Sequence, residues 1–275
     1  ILFLGDVVGK SGCAKLKSDL IKQKEIKKID FVIVNGENAD NSGVGLTKEI
    51  CEELFNSGVD VITTGNHVWD QKNLMEFIDK EKRLLRPKNL FEPAPGKGFE
   101  IFEVDKNFKI GVLNLMGNVF MKKCENVFET SKKFIDQHEL KKHYDFLIVD
   151  FHGEITSEKN AMGHYFDGKA TLVVGTHTHI PTNDTRILEN GTAYQTDAGM
   201  CGDYDSVIGG EKNKWIENFI KKPGFQKIKP ASINHTLCGV IIKVFEDTGL
   251  SSVAKQLILG DILENKIPDE KLFLK

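Results

Sequence analysis

Thr171-Leu172-Val173-Val174-Gly175-Thr176-His177-Thr178-His179 is the stretch whose reading decides the fold. Its unbroken run of branched apolar residues reads as a buried strand, with polar residues at the carboxyl end. In extended backbone, residues two apart point the same way. His177 and His179 are therefore expected to leave the strand side by side, spaced as two metal ligands would be. Taken alone, the pair reads more simply as two polar residues that close a strand.

Four other apolar runs end in the same manner. Ile1-Leu2-Phe3-Leu4 runs into Gly5-Asp6, and Phe31-Val32-Ile33-Val34 into Asn35-Gly36-Glu37-Asn38. Val59-Asp60-Val61-Ile62-Thr63-Thr64 leads to Gly65-Asn66-His67, and Phe146-Leu147-Ile148-Val149-Asp150-Phe151 to His152-Gly153-Glu154. Helical periodicity fills the intervals, over residues 14–27, 48–57 (capped by Thr47), 71–80, 129–143, 157–166 and 211–221. A hairpin is expected across Asp105-Lys106-Asn107, joining strands at 99–104 and 109–115, and further strands at 193–197, 237–245 and 253–259. Gly9-Lys10-Ser11 invites a phosphate-loop reading, but its spacing from Gly5 is one residue short of that pattern.

Apolar runs that alternate with helices imply a parallel sheet, whose ligands sit outside the carboxyl ends of the strands. Five such ends would converge eight residues there: Asp6, Glu37, Asn38, Asn66, His67, His152, His177 and His179. One metal takes about four to six ligands, so a set of this size suits about two ions. Imidazole, carboxylate and amide oxygen without thiolate suit Fe, Mn, Zn or Co, and argue against a structural zinc cage. Two cations held together clamp a phosphoryl group from both sides.

The remaining composition narrows the class. The 275 residues are 40% hydrophobic and 28% charged, ordinary for a globular chain able to bury a substantial core. No repeat or linker divides them, so one domain over 1–275 is expected. A net charge of -3 gives no basic bias, so duplex nucleic acid is not an evident partner, whereas a small nucleotide remains admissible. The five cysteines are scattered, with no CxxC, which reads as reduced thiols in a cytoplasmic protein. No apolar run reaches membrane-spanning length.

Gly5-Asp6, Gly65-Asn66-His67 and Gly175-Thr176-His177-Thr178-His179 together resemble the signature of the calcineurin-like metallophosphoesterases. Gly5-Asp6-Val7-Val8-Gly9, Gly36-Glu37-Asn38-Ala39, Gly65-Asn66-His67-Val68-Trp69-Asp70, Phe151-His152-Gly153-Glu154 and Thr196-Asp197-Ala198-Gly199-Met200 narrow the resemblance to the YmdB-like branch. It implies a four-layer α/β/β/α sandwich of two mixed sheets, with the site at the carboxyl ends of strands. It further implies a dinuclear centre, iron or manganese foremost. The implied reaction is hydrolysis of 2′,3′-cyclic nucleotides, with 3′,5′-cyclic ones as a further class, by a metal-bridged hydroxide. Carried over by position, the first metal takes Asp6, Asn38 and His179, and the second Asn66, His152 and His177. Glu37 would bridge, and His67 would be the general acid. The chain departs from the broad superfamily in having Asp6-Val7-Val8 where Asp-x-His is common, and Glu37 where a bridging aspartate is usual. Both are features of the branch.

Asp197 and Asp70 are candidates for orienting a ligand histidine and His67 respectively. His138 and His143 read as solvated, and His164 and His235 as structural, with a place in the cleft as the alternative. A dinuclear amidohydrolase would need His-x-His on the first strand, which is absent. A regulatory protein that binds a nucleotide and turns it over slowly remains the rival from another class. A homo-oligomer is compatible with the sequence.

Overall fold

Side-chain alternation decides which face of each strand meets which layer. The structure is a computed structural model and describes residues 1–104, 107–220 and 226–273. Its first half runs β1 (Leu2–Leu4), β2 (Asp6–Val7), α1 (Gly9–Lys27), β3 (Val32–Asn35), α2 (Lys48–Asn56), β4 (Val61–Thr63), α3 (Leu74–Phe77), β5 (Phe99–Val104) and β6 (Phe108–Met116). There follow α4 (Val127–Gln137), β7 (Phe146–His152), α5 (Thr156–Tyr165), β8 (Leu172–Thr176), β9 (Arg186–Ile187), β10 (Ala193–Gln195), β11 (Met200–Cys201), α6 (Lys212–Ile220), β12 (Thr236–Val244) and β13 (Ser251–Gly260).

Two mixed sheets form, in the orders β13-β12-β1-β3-β4 and β5-β6-β7-β8-β10-β9, with a short ribbon β11-β2. Strands β1, β3 and β4 are parallel, as are β6, β7 and β8. Phe3, Ile33, Val61 and Val240 of the first sheet pack on Val112, Ile148, Leu172 and Val174 of the second. The opposite face of the first sheet (Leu2, Leu4, Val32, Val34) lies under Leu16 and Leu20 of α1 and Leu54 of α2. The outer face of the second (Leu113, Leu147, Val149, Val173) lies under Phe134 of α4 and Met162 of α5. The result is the expected helix–sheet–sheet–helix sandwich.

Several boundaries differ from the expectations, for local reasons. Helix α1 begins at Gly9 rather than at 14, so the rejected phosphate-loop residues form its first turn. Helix α3 is shorter than 71–80 and tightens into a 3₁₀ turn over Ile78–Lys80. Helix α4 starts where Asn126 Oδ1 accepts from Phe128 N and Glu129 N, and ends at Gln137. His138 then stacks on Phe134, with ring centroids 4.5 Å apart, and is not a solvated helix residue. The hairpin strands form as expected, although Asp105 and Lys106 of its turn, like Lys221, lie outside the described residues. The five cysteines are free thiols. Among the described residues, no helix is long and apolar enough to cross a membrane.

Candidate metal centre

The two sheets are joined beneath the strand ends by a buried polar rung. Asp150, in the middle of β7, accepts from Asn35 Nδ2 of β3 at 3.0 Å, from Thr63 Oγ1 of β4 and from Thr176 Oγ1 of β8 at 2.7 Å. Because Thr176 spends its one proton on Asp150, its oxygen must accept from His152 Nδ1, 2.9 Å away. That fixes the imidazole so that Nε2 faces Glu37 Oε1 at 2.9 Å, Asn66 Oδ1 at 3.0 Å and His177 Nδ1 at 3.1 Å. One ligand atom each from Glu37, His152 and His177 lie within 4.8 Å of one another.

A second cluster adjoins this one. His179 Nδ1 donates to the carbonyl of Ile208 at 2.8 Å, which leaves its Nε2 lone pair 3.9 Å from Asp6 Oδ1. Among the described residues, neither Asp6 Oδ1 nor Asn38 Oδ1, both buried, has a hydrogen-bond partner. Buried acceptors left unsatisfied are costly; Asp6 Oδ1 beside the His179 lone pair, with Asn38 lining the same cavity as His179, makes a donor set that fits a cation. The residues present therefore fit the metals that the motifs imply. Only glycine fits at position 65, because a Cβ there would collide with the His152 ring and the Glu37 carboxylate.

Electrostatics follow from this crowding. Burial opposes charge on His152, yet Glu37, joined by Asp6 and Asp150, pushes the imidazole up to about 9. Burial likewise opposes charge on Glu37, and His152 together with His67 holds the carboxyl down at about 2. Burial, then the neighbouring His152, depresses His177 to about 3, so that its ring is neutral. Burial raises Asp6 against the pull of His179 and His152. Protons and cations compete for the same lone pairs here.

All eight expected residues lie at this end of the sandwich, but not always by the expected route. Strand β8 stops at Thr176, and His177 and His179 have positive φ values of 97° and 65°. They do not leave an extended strand side by side. Asp6 Oδ2 accepts from His177 N, while Asp197 Oδ2 accepts from both Thr178 N and Thr178 Oγ1, which bends the segment out of the strand. His177 thus turns to His152, and His179 to Asp6. Asp197 binds no imidazole; it steadies the residue between the two histidines and is itself held by Lys159 Nζ at 2.6 Å. His67 and Asn66 also lie in a turn, not in extended chain. Asn66 faces His152, and His67 lines the cavity with its Nδ1 2.7 Å from Asp70 Oδ2. His235 pairs with Ser11 at 3.1 Å, and His164 is exposed on α5.

Sequence reasoning missed Asp150, Thr176, Asn35 and the Lys159–Asp197 pair, and gave Glu154 no role, although its carboxylate lies 3.1 Å from His177 Nε2. The signal was present for Asp150 and Asn35. A polar residue inside an apolar strand buried on both faces needs partners of its own. The cavity over the cluster has a volume of about 410 Å³ and is floored by Glu37, Asn38, His67, His177 and His179.

The chain is similar to several known proteins along nearly its whole length. The family profile described as YmdB-like protein matches residues 2–257. The 2′,3′-cyclic-nucleotide 2′-phosphodiesterase of Bacillus subtilis (strain 168) is 41% identical over 261 residues, which are 95% of this chain and 97% of that protein. A crystal structure of a phosphatase from Mycoplasma pneumoniae superposes with a TM-score of 0.86 at 37% identity, covering 94% of this chain and 92% of that one. A hypothetical protein from Thermus thermophilus gives 0.87 at 34% identity, covering 94% and 98%. Matches that span nearly the whole chain establish that the protein belongs to the YmdB-like family, the branch of the calcineurin-like metallophosphoesterases that its motifs resemble.

Proposed function

We propose that the protein is a metal-dependent phosphodiesterase acting on cyclic nucleotides, 2′,3′-cyclic ones foremost and 3′,5′-cyclic ones as a further class. The observation that carries this reading is the pair of partnerless buried oxygens, Asp6 Oδ1 and Asn38 Oδ1, beside the Glu37–His152–His177 cluster. Asp6, Asn38 and His179 would hold one cation, Asn66, His152 and His177 the other, and Glu37 would bridge. Iron or manganese suits this donor set, with zinc or cobalt able to fill it. Bound there, about two such ions supply charge neutralisation and an activated water.

The chain's own residues supply the rest. Thr176 and Glu154 fix the two imidazoles, in the manner of groups that orient metal ligands. The Nδ1–H of His67 goes to Asp70, so its Nε2 is the atom left for the substrate, and in the imidazolium form it can protonate the departing ribose oxygen. We read residues 1–275 as one domain, a reading that the core shared by the two sheets supports.

Diesters should react in preference to monoesters. A dianionic monoester usually calls for further cationic donors, and the three arginines are engaged elsewhere: Arg83 pairs with Glu81, Arg86 with Glu92 and Arg186 with Asp184. Steady-state rates on a 2′,3′-cyclic nucleotide, an aryl diester and the matching aryl monoester test this. Faster turnover of the monoester would refute it, and tight nucleotide binding with negligible turnover would favour a signalling role instead.

A further inference from the structure

We propose that the indole of Trp215 is the nucleobase wall of the cavity and gives the enzyme a preference for purine over pyrimidine cyclic nucleotides, an inference that rests on the phosphodiesterase reading above. The cavity has two chemically different ends. Its lining is polar at the cluster and apolar at Trp215, Ile228, Pro230 and Ile208. Among the described residues, no lysine or arginine lines it, so the apolar end is not built for a second phosphate. A nucleoside cyclic phosphate has matching ends, one anionic and one flat and aromatic.

One short segment links the two ends. His179 donates to the carbonyl of Ile208, and the chain closes a turn in which Val207 and Gly210 exchange backbone hydrogen bonds of 3.0 and 2.9 Å. At Gly210 the indole comes so close that a Cβ would stand 2.5 Å from Trp215 Nε1 and 2.7 Å from Ile228 Cγ2. Phe219, one turn further along α6, stacks on the Trp215 ring with centroids 5.6 Å apart and sets its orientation. The half-buried indole is thereby held at a fixed place relative to His179. A phosphate seated on the floor directs its base along this wall.

Polar side chains able to read base edges are scarce there, Ser42 being the nearest kind among the lining residues. Discrimination should therefore follow ring area and not hydrogen-bond pattern, with adenine close to guanine and both ahead of cytosine and uracil.

The test compares the parent protein, Trp215→Ala and Trp215→Phe on the four 2′,3′-cyclic nucleotides and on a base-free methyl riboside 2′,3′-cyclic phosphate. Loss of one stacking side chain is expected to raise KM for the purine substrates about tenfold, with the change in KM and not in kcat. The purine–pyrimidine gap should collapse, the base-free analogue should suffer far less, and Trp215→Phe should recover most of the loss. An unchanged purine KM, or an equal loss on the base-free analogue, would overturn the inference while leaving the phosphodiesterase reading intact. Failure of the parent protein to hydrolyse any cyclic nucleotide would overturn both.

Discussion

His67 follows Asn66 in the chain, yet the two side chains serve different surroundings: Asn66 meets His152, while His67 faces the cavity and leans on Asp70. That division predicts two phenotypes. His67→Ala should retain its metal and lose about a hundred- to ten-thousand-fold in turnover of a cyclic nucleotide. It should lose much less on a nitrophenyl diester, whose leaving group needs little protonation. His177→Ala should instead lose metal. Metal content and both rates, measured on the same preparations, check the pair; equal slowing of both substrates would remove His67 as the acid. The residues that end apolar runs were legible in the sequence because a strand end leaves few other uses for clustered imidazole and carboxylate. Thr176 was not, since its importance lies in a proton chain from Asp150 to His152 that only the tertiary contact of β7 and β8 creates.

At the scale of elements, the segment after β8 depends on a buried ion pair from α5. Lys159 is 1% exposed and binds Asp197, which in turn holds Thr178 between the two histidines. Removing one partner of a buried pair costs about 3–5 kcal/mol. Lys159→Met should therefore destabilise the fold by that order, read by urea denaturation, and a loss under about 1 kcal/mol would show the pair to be dispensable. A second element, the turn after β11, carries an acid-sensitive carboxylate. Burial opposes charge on Asp203, but the N–H groups of Asn234, Ile233 and Asp205 outweigh it and hold the carboxyl below its usual range. A folded pKa below the unfolded one adds stability above the ordinary carboxylate range, and that stability is lost as pH falls through the depressed value. Asp203→Asn should flatten the acid limb of a plot of melting temperature against pH; a limb as steep as the parent's would contradict this. Strand identities were legible from apolar runs, whereas the ends of α1, α3 and α4 were not. Those ends are set by contacts outside the local pattern, such as the stacking of His138 on Phe134.

For the whole molecule, the sandwich was legible chiefly through the motif resemblance. Apolar runs and intervening helices give an α/β class, but not how many sheets share the strands. The second sheet is specified by pairings such as β6 with β7 and β8 with β10, which no local pattern encodes. Its consequence is functional: segments that leave strands of two facing sheets, not one, supply the cluster, with Asp6 (in the ribbon strand β2, just after β1), Glu37 and Asn66 following strands of one and His152 and His177 at strand ends of the other. Together the two sheets would thus hold a two-ion hydrolytic site. Chelator-stripped protein, titrated with Mn²⁺ while hydrolysis of a 2′,3′-cyclic nucleotide is followed, tests this most directly. Activity should be absent at the start, rise with added metal and level off at about two ions per chain. Full activity at one ion per chain, or activity that survives complete removal of metal, would contradict it.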